Sequence, residues 1–560
     1  MARDFMKVYE EWLNSSLLTK EEKEELLSIK DDPKAIEDRF FQDLAFGTGG
    51  LRGVMELGTN RMNRFMIRKA TQGLANYLNK KYATSSVAVG YDSRNHSEEY
   101  ARETAATLAS NGIKVYLYPE LMPTPTVSFA IRYFKCQSGV VVTASHNPKI
   151  YNGYKAYGDD GCQCTNELAD SVLNEIESLD TFKDVKTGNF DELVKAGKIN
   201  IIGEDCFNAF ISSTKKQSIY DEKRVLNVIY TPLYGAGRKC VTTILKQDGF
   251  ESVHVVKEQE MPNGNFPTCP YPNPEIHEAL KLGIEQMLNE NADILVATDP
   301  DSDRCGVVVN DNGNPHILTG NEVGILLFDA VYHARKENGT LTNRPVLVKT
   351  IVSSDMANVM AKDWGVEVRD VLTGFKYIGE QILFLEKEGK TADYLLGFEE
   401  SCGYLSNTDI RDKDAVNAVM LVCEIANHYK LQGITLLDRL NYLYKTYGDF
   451  KTALLTYEFP GLAGMAKIKE LMAKFRDDSI KATVKGIDHI GDYKKGVITY
   501  KDHEEPINLP SSDVVKFFLE DNSTITVRPS GTEPKLKIYV LANGEKRVNE
   551  LKELFNSFVK

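Results

Sequence analysis

The sequence predicts an α/β protein of four domains: three similar α/β domains with mixed, largely parallel sheets, and a smaller C-terminal α+β domain. Length is the first observation, because 560 residues exceed what one hydrophobic core supports. Alternation is the second. From about residue 60, apolar residues at helical spacing, such as Ile67, Ala70, Leu74 and Leu78, alternate with short β-branched runs at 87–89 and 140–142. That is the pattern of parallel strands buried on both faces. The third is a change of texture beyond about residue 450, where "TITVRPSGT" and "KLKIYVLA" alternate with period two before a final helix over roughly 545–559.

Taken in chain order, the first thirty residues read as helices. Phe5, Val8 and Trp12 recur at helical spacing, and Thr19 with Glu22 forms a capping box. The β-branched runs return at 225–229, 294–297, 346–348 and 394–396, each followed by glycine or polar residues, so the α/β layout reads as a repeated unit. Composition shifts place the domains at 1–205, 206–322, 323–450 and 451–560. No low-complexity segment or long Pro/Gly linker separates them, and close packing is expected.

With 42% hydrophobic and 26% charged residues, the chain has ordinary globular composition. A net charge of −13 opposes a general nucleic-acid or anionic-membrane surface, while a locally basic pocket for a small phosphorylated ligand remains compatible with it. Nine scattered cysteines with no C-x-x-C pair exclude a disulfide framework and a zinc cluster, which points to a reducing cytoplasm. "MARDFMKVYEEWL" lacks a signal-peptide pattern, and no run of 18 apolar residues occurs.

In "GVVVTASHNPKIYNGYK", Ser145 falls three residues beyond the 140–142 run, where ligands sit in an open α/β sheet. Ser-His-Asn-Pro also reads as plain turn chemistry. A serine hydrolase fits poorly: G-x-S-x-G is absent, and on an extended chain Ser145 and His146 point apart. In "ILVATDPDSDRCG", Asp299, Asp301 and Asp303 follow a strand at spacing two and can converge. Three converging carboxylates repel one another unless a cation joins them, and hard oxygen donors suit Mg²⁺. An EF-hand is excluded because Arg304 and Asn310 stand where glycine and glutamate are needed. A phosphatase with an aspartate nucleophile at Asp299 accounts for the D-x-D but leaves Ser145 without a task.

"TVRPSGTEPKLKIY" offers Arg528, Ser530, Gly531, Thr532 and Lys535, a guanidinium fork with hydroxyls, backbone N–H groups and an ammonium suited to phosphate. No Walker A pattern is present in it, so a nucleotide is not implied. "LLGFEESCGY" places Glu399 and Ser401 at spacing two after an apolar run, able to hold adjacent sugar hydroxyls, and "FGTGGLRG" presents Arg52 in a glycine-rich loop. Each of these also reads alone as a turn or a solvated loop.

In this order the five segments resemble the α-D-phosphohexomutase superfamily over about 46–539, and in particular its phosphoglucomutase/phosphomannomutase branch, which also resembles phosphoglucomutase-2 and phosphopentomutase. The resemblance implies a four-domain, heart-shaped enzyme with a mobile last domain. It implies that Ser145 carries a phosphoryl group, that Asp299, Asp301 and Asp303 bind Mg²⁺ together with a Ser145 phosphate oxygen, and that Arg52, His146 and Lys155 stand near the reacting phosphate. Lys155 or His146 is then the general base. Thr373, Gly374, Lys376, Glu399, Ser401, Lys413 and Arg304 are implied as substrate contacts, with Arg528, Ser530, Gly531, Thr532 and Lys535 on the distal phosphate. The implied reaction interconverts glucose 1-phosphate and glucose 6-phosphate through a phosphoserine and glucose 1,6-bisphosphate, which also serves as activator. Mannose or pentose phosphates are the alternatives, and Cys402-Gly403-Tyr404 departs from the glycine-histidine ending of the dual-specificity mutases. Less favoured are a phosphosugar phosphatase and a non-catalytic sugar-phosphate binder. The partner expected is a small phosphosugar, with no nucleic acid or membrane, for a monomer or homodimer.

Overall fold

A computed structural model describes residues 3–47, 49–459, 461–530 and 535–560. The first sheet runs Gly50–Val54, Tyr151–Tyr157, Ser138–Val142, Ser86–Tyr91, Lys114–Leu117, Ile199–Ile201. Its last four strands are parallel and its first two form an antiparallel edge. The second runs Asn314–Leu318, Cys305–Asp311, Ile294–Thr298, Val228–Thr231, Val253–Val255, and the third Glu367–Val371, Val346–Thr350, Tyr394–Glu399, Gly403–Leu405. Both repeat the plan of parallel strands with antiparallel return at one edge. Every residue of Ser138–Val142, Ile294–Thr298 and Tyr394–Glu399 is buried, as expected where helices cover both faces.

The C-terminal sheet is antiparallel throughout, in the order Phe450–Glu458, Lys535–Asn543, Thr524–Pro529, Val515–Leu519, Ile487–Asp492, Val497–Thr499, Glu504–Pro506. Leu471 and Phe475 from Gly461–Phe475 and Leu551 and Phe555 from Glu545–Val559 fill one face against Phe517, Val527 and Ile538. Tyr493, Val514, Tyr539 and Leu541 form a separate cluster with Ile351, Val352 and Leu372 of the third unit, which brings the last unit against the third.

Three short helices open the chain, Phe5–Leu13, Lys20–Ser28 and Pro33–Phe40. Thr19 and Glu22 make the expected capping box, and Asp32 caps the third helix with Pro33 at its start. Trp12 meets Phe40, Phe65 and Phe182 edge-on at 5.7, 5.5 and 5.3 Å, anchoring this collar to the first unit. The run expected as a strand at 225–229 begins later, at Val228. Arg224 is drawn instead to Asp248 and Glu424, and the Val225 N–H donates to Asn427 Oδ1 at 2.7 Å, so this stretch is tied to the helix Ala415–Leu431 rather than to the sheet.

Asp414 starts that helix, accepting from Val416 and Asn417 N–H at 2.9 and 3.0 Å, while its second carboxylate oxygen is buried without a hydrogen bond. Burial lifts its pKa to about 7, against the two backbone bonds. The unfolded chain ionises this group near pH ~4, so stability is greatest below that, falls as pH rises toward 7, and is level above. Asp414→Asn keeps both cap bonds and removes the charge. A pH series of Tm is therefore expected to show the variant equal to the parent near pH 4 and more stable at pH 8; a lower Tm at pH 8 would contradict the assignment.

Candidate active site

In each of the first three sheets the chain leaves the third strand, turns, and returns antiparallel. The three turns carry Ser145, the aspartate cluster, and Glu399 with Ser401 respectively. Each contains a non-glycine residue in the left-handed region: Ser145 at φ 51°, Ser302 at φ 51°, Cys402 at φ 60°. Such backbone costs roughly 1 kcal/mol and persists where surrounding bonds over-determine it. At Ser145 those bonds are explicit. Its N–H donates to Thr143 Oγ1 at 2.8 Å, Thr143 donates to Asp92 Oδ2 at 2.6 Å, and buried Arg94 donates to the carbonyls of Ser145, Asn147, Pro148 and Tyr151.

This geometry corrects one sequence expectation. Ser145 and His146 do not point apart, because the chain between them is not extended: Ser145 Oγ lies 3.2 Å from His146 Nδ1 and donates to Asp299 Oδ2 at 2.9 Å. A hydrolytic triad does not follow. Burial, then Arg304 and Arg52, push the His146 pKa well below the usual imidazole range, so the ring sits neutral among arginines rather than beside an orienting carboxylate.

Arg94 was not singled out by the sequence. A lysine could keep its charge but not its fork, so Arg94→Lys is expected to displace Ser145 and lower kcat about 100-fold. Stopped-flow and steady-state measurements should find KM nearly unchanged; a wild-type kcat would show that the clamp has no bearing on the serine.

Asp299, Asp301 and Asp303 are fully buried, with a ligand oxygen of each within 4.8 Å of the others. Asp299 Oδ1 accepts from the N–H groups of Asp303 and Arg304 at 3.1 and 3.0 Å, which curls the loop. Thr124, at the start of Thr124–Phe134, donates from its hydroxyl to Asp301 Oδ2 at 2.9 Å and from its N–H to the Asp301 carbonyl at 2.8 Å, fastening the second unit to the first. Lys155 Nζ lies 2.7 Å from Asp301 Oδ2 and 3.1 Å from Asp303 Oδ2, and Lys413 Nζ 3.3 Å from the latter.

Burial, reinforced by Asp301 and Asp303, pushes the Asp299 pKa well up. At Asp303 burial acts the same way but Lys155, Lys413 and Arg304 outweigh it, holding that carboxylate below its usual range. Burial opposes the Lys155 ammonium, yet Asp301 and Asp303 raise its pKa and keep it charged. Asp301 Oδ1 and Asp303 Oδ1 are buried without a hydrogen bond. Three hard carboxylates, two of them with an orphaned oxygen, fit a divalent cation.

Glu399 and Ser401 are joined by a 3.0 Å hydrogen bond, and Thr350 holds Glu400 at 3.1 Å. Burial raises the Glu399 pKa against Lys413 and Arg304. Gly320, the first residue of the helix Gly320–Glu337, has no room for a Cβ, which would lie 2.2 Å from the Glu400 carbonyl oxygen, so this helix supports the turn from beneath. Tyr404 is buried with its hydroxyl on the Gly320 carbonyl. Arg304 Nη1 reaches Glu275 at 2.9 Å, a partner the sequence reading missed.

Arg528 stands opposite Lys537, in the Thr524–Pro529/Lys535–Asn543 pair, and its charge is favoured by Tyr539, Glu400 and Glu399 against burial. The strand that carries Arg528 therefore faces the turn of Glu399 and Glu400. Burial, then Arg528, lowers the Lys537 pKa; period-two spacing from Lys535 was the signal available for it. Lys535 itself is tied to Glu458 at 2.9 Å, and Ser530 N–H donates to the Lys535 carbonyl at 2.8 Å, closing the loop. Gly531 and Thr532 lie outside the described residues. Arg52 lies on Gly50–Val54 opposite Gly153, close enough to bear on His146 and Arg94. Thr373 and Gly374 precede the helix Phe375–Lys387, the Thr373 hydroxyl buried without a hydrogen bond, and Lys376 Nζ reaches Asn166 at 2.7 Å, which points it toward the junction of first and third units.

Family descriptions of phosphoglucomutase/phosphomannomutase match the whole succession: alpha/beta/alpha domain I at 43–183, domain II at 207–313, domain III at 319–447, and the C-terminal domain at 465–557. A phosphoglucomutase of Staphylococcus saprophyticus is 36% identical over 519 residues, covering 92% of this chain and 93% of that one. One from Staphylococcus aureus is 36% identical over 516 residues, covering 90% and 91%. The fold is also that of parafusin, a phosphoglucomutase from Paramecium in its open form, with TM-score 0.68, 18% identity and coverage of 92% and 95%. No helix among the described residues is long and apolar enough to cross a membrane. With the serine turn bonded to the aspartate turn and four domains matched in order, the chain belongs to the phosphoglucomutase/phosphomannomutase family and is a phosphohexomutase, an enzyme of the isomerase class.

Proposed function

We propose that this enzyme interconverts glucose 1-phosphate and glucose 6-phosphate through phosphorylated Ser145 and a glucose 1,6-bisphosphate intermediate. The observation that carries the proposal is the 2.9 Å bond from Ser145 Oγ to Asp299, which joins the hydroxyl of one domain to the metal cluster of another. The glucose assignment draws on the staphylococcal relatives named phosphoglucomutase. The division at 1–205, 206–322, 323–450 and 451–560 belongs to the same proposal, each segment holding one sheet save that the fourth sheet begins at Phe450.

In the forward half-reaction the bond between phosphorus and Ser145 Oγ breaks as a sugar hydroxyl oxygen forms its own bond to phosphorus. Asp299, Asp301 and Asp303 would hold Mg²⁺, and the bound ion would supply positive charge to the phosphoryl oxygens. Lys155 is kept as an ammonium by Asp301 and Asp303, so it contributes charge; neutral His146, beside Ser145, takes the hydroxyl proton and passes it to the departing Ser145 Oγ. The bisphosphate then reorients and returns its other phosphoryl group to Ser145. Glu399 and Ser401 hold the sugar in both orientations, and Arg528, Ser530, Gly531 and Thr532 hold the phosphate that does not react. Thr373, Gly374 and Lys376 complete the substrate contacts. A cytoplasmic location is part of the same reading, and nine free cysteines suit it.

The test is kcat/KM measured side by side for glucose, mannose and ribose 1-phosphates with Mg²⁺. Glucose 1-phosphate is expected to lead; a clear lead for either of the others would overturn the substrate. In the same assay Arg528→Gln is expected to raise KM by about 10-fold or more, with kcat changed far less, because a bidentate phosphate contact is lost away from the reacting bond. An unchanged KM would remove Arg528 from the clamp.

A further inference from the structure

Gly403 opens the strand Gly403–Leu405 directly after the sugar turn, and the side of it that lacks a side chain faces Lys413. An ideal Cβ at this position would lie 2.3 Å from Lys413 Cδ, 2.8 Å from Lys413 Cγ and 3.0 Å from Glu399 Cγ. Its φ lies outside the left-handed region, so the backbone does not ask for glycine here. The lysine stem does.

Lying across residue 403, that stem delivers Lys413 Nζ to 3.3 Å from Asp303 Oδ2 and 3.5 Å from Asp412 Oδ1, with the Phe375 ring centroid 5.5 Å away. The other end of the lysine is fixed. Its N–H donates to Asp412 Oδ1 at 2.8 Å, Asp412 Oδ2 accepts from Tyr157 at 2.8 Å, and Asp414 is committed to capping the following helix. A methyl group at 403 cannot push the lysine backbone aside, so relief comes from swinging the ammonium out of the cleft.

We propose that Gly403 is a positioning residue that acts through Lys413: by leaving the stem its path, it keeps a cation between Glu399 and the aspartate cluster, where it reads the phosphoryl oxygens and hydroxyls of a bound sugar phosphate. The inference rests on the phosphosugar reading above. It goes further in making residue 403, which has no side chain, a determinant of how the sugar phosphate is held.

The experiment is a double-mutant cycle over Gly403→Ala and Lys413→Met, read as kcat/KM for glucose 1-phosphate and, in a Ser145→Ala background that cannot turn over, as calorimetric binding of the same sugar phosphate. Gly403→Ala alone is expected to lower both quantities about 30-fold, and to add nothing once Lys413 is already methionine-substituted, the signature of two residues acting as one. Independent losses that multiply would overturn the proposal, as would wild-type behaviour of Gly403→Ala. Should Gly403→Ala lower Tm, adding Lys413→Ala removes the stem and is expected to restore Tm while binding stays weak; no restoration would place the clash elsewhere and also overturn it. If the parent enzyme turns over none of the three phosphosugars, the functional reading fails, and the Tm rescue still decides whether Gly403 and Lys413 are paired.

Discussion

Ser145→Ala is expected to lower kcat/KM by about 10⁵-fold, the scale seen when a covalent nucleophile is removed while its surroundings stay in place. The surroundings do stay in place, because the groups that shape the turn bond to its backbone. Thr143 Oγ1 receives the residue-145 N–H, and Arg94 donates to the residue-145 carbonyl. What the substitution removes is the hydroxyl that reaches Asp299 and His146. In the proposed function phosphosugar binding is assigned to Glu399, Lys413 and Arg528, so it should weaken little, and calorimetry and kinetics are expected to separate sharply. Activity of the alanine variant within tenfold of the parent would show that the phosphoryl group travels by another route.

Asp299→Asn should cut activity about 1,000-fold, the scale of lost metal-assisted charge stabilisation, and yet raise Tm in EDTA. The reason lies in the charge balance. Three buried carboxylates stand against the ammonium groups of Lys155 and Lys413, and burial with two like-charged neighbours already disfavours ionised Asp299. Asparagine is nearly isosteric. Its Oδ1 can accept from the Asp303 and Arg304 N–H groups as the carboxylate does, and its amide can donate to Ser145 Oγ. Relief of repulsion without lost bonds is expected to increase Tm by about 2 °C in EDTA, and Mg²⁺ should then stabilise the variant less than the parent. A fall in Tm in EDTA would mean that the charge of Asp299 supports the fold rather than the reaction.

Three of the positions legible in the sequence share one feature: they follow a strand. Ser145, Asp299 and Glu399 each end an apolar run, and the open-sheet rule points to them before any coordinates do. The capping box at Thr19 and the last helix, Glu545–Val559, were legible because caps and period are local. Groups that act across domains were harder to read. Nothing local ties Thr124 to Asp301, 177 residues away, or Lys155 to Asp303, 148 residues away. Arg94 could have been found by the rule that found Ser145, since Asp92 ends the strand Ser86–Tyr91, which lies parallel to and beside Ser138–Val142. The extended-chain argument about Ser145 and His146 failed for a definite reason: two hydrogen-bonding groups, Thr143 and Arg94, hold the serine at positive φ, and residue types alone do not disclose that. The 225–229 run misled because Asp248 and Glu424 hold Arg224 just before it and Asn427 takes the Val225 N–H.

The most direct measurement is to incubate the dephosphorylated enzyme with glucose 1,6-bisphosphate and Mg²⁺, quench, and locate the phosphoryl group by peptide mass mapping. A single group on Ser145, absent from Ser145→Ala, is the predicted result. A phosphoryl group on Asp299, or transfer undiminished in the Ser145 variant, would contradict it.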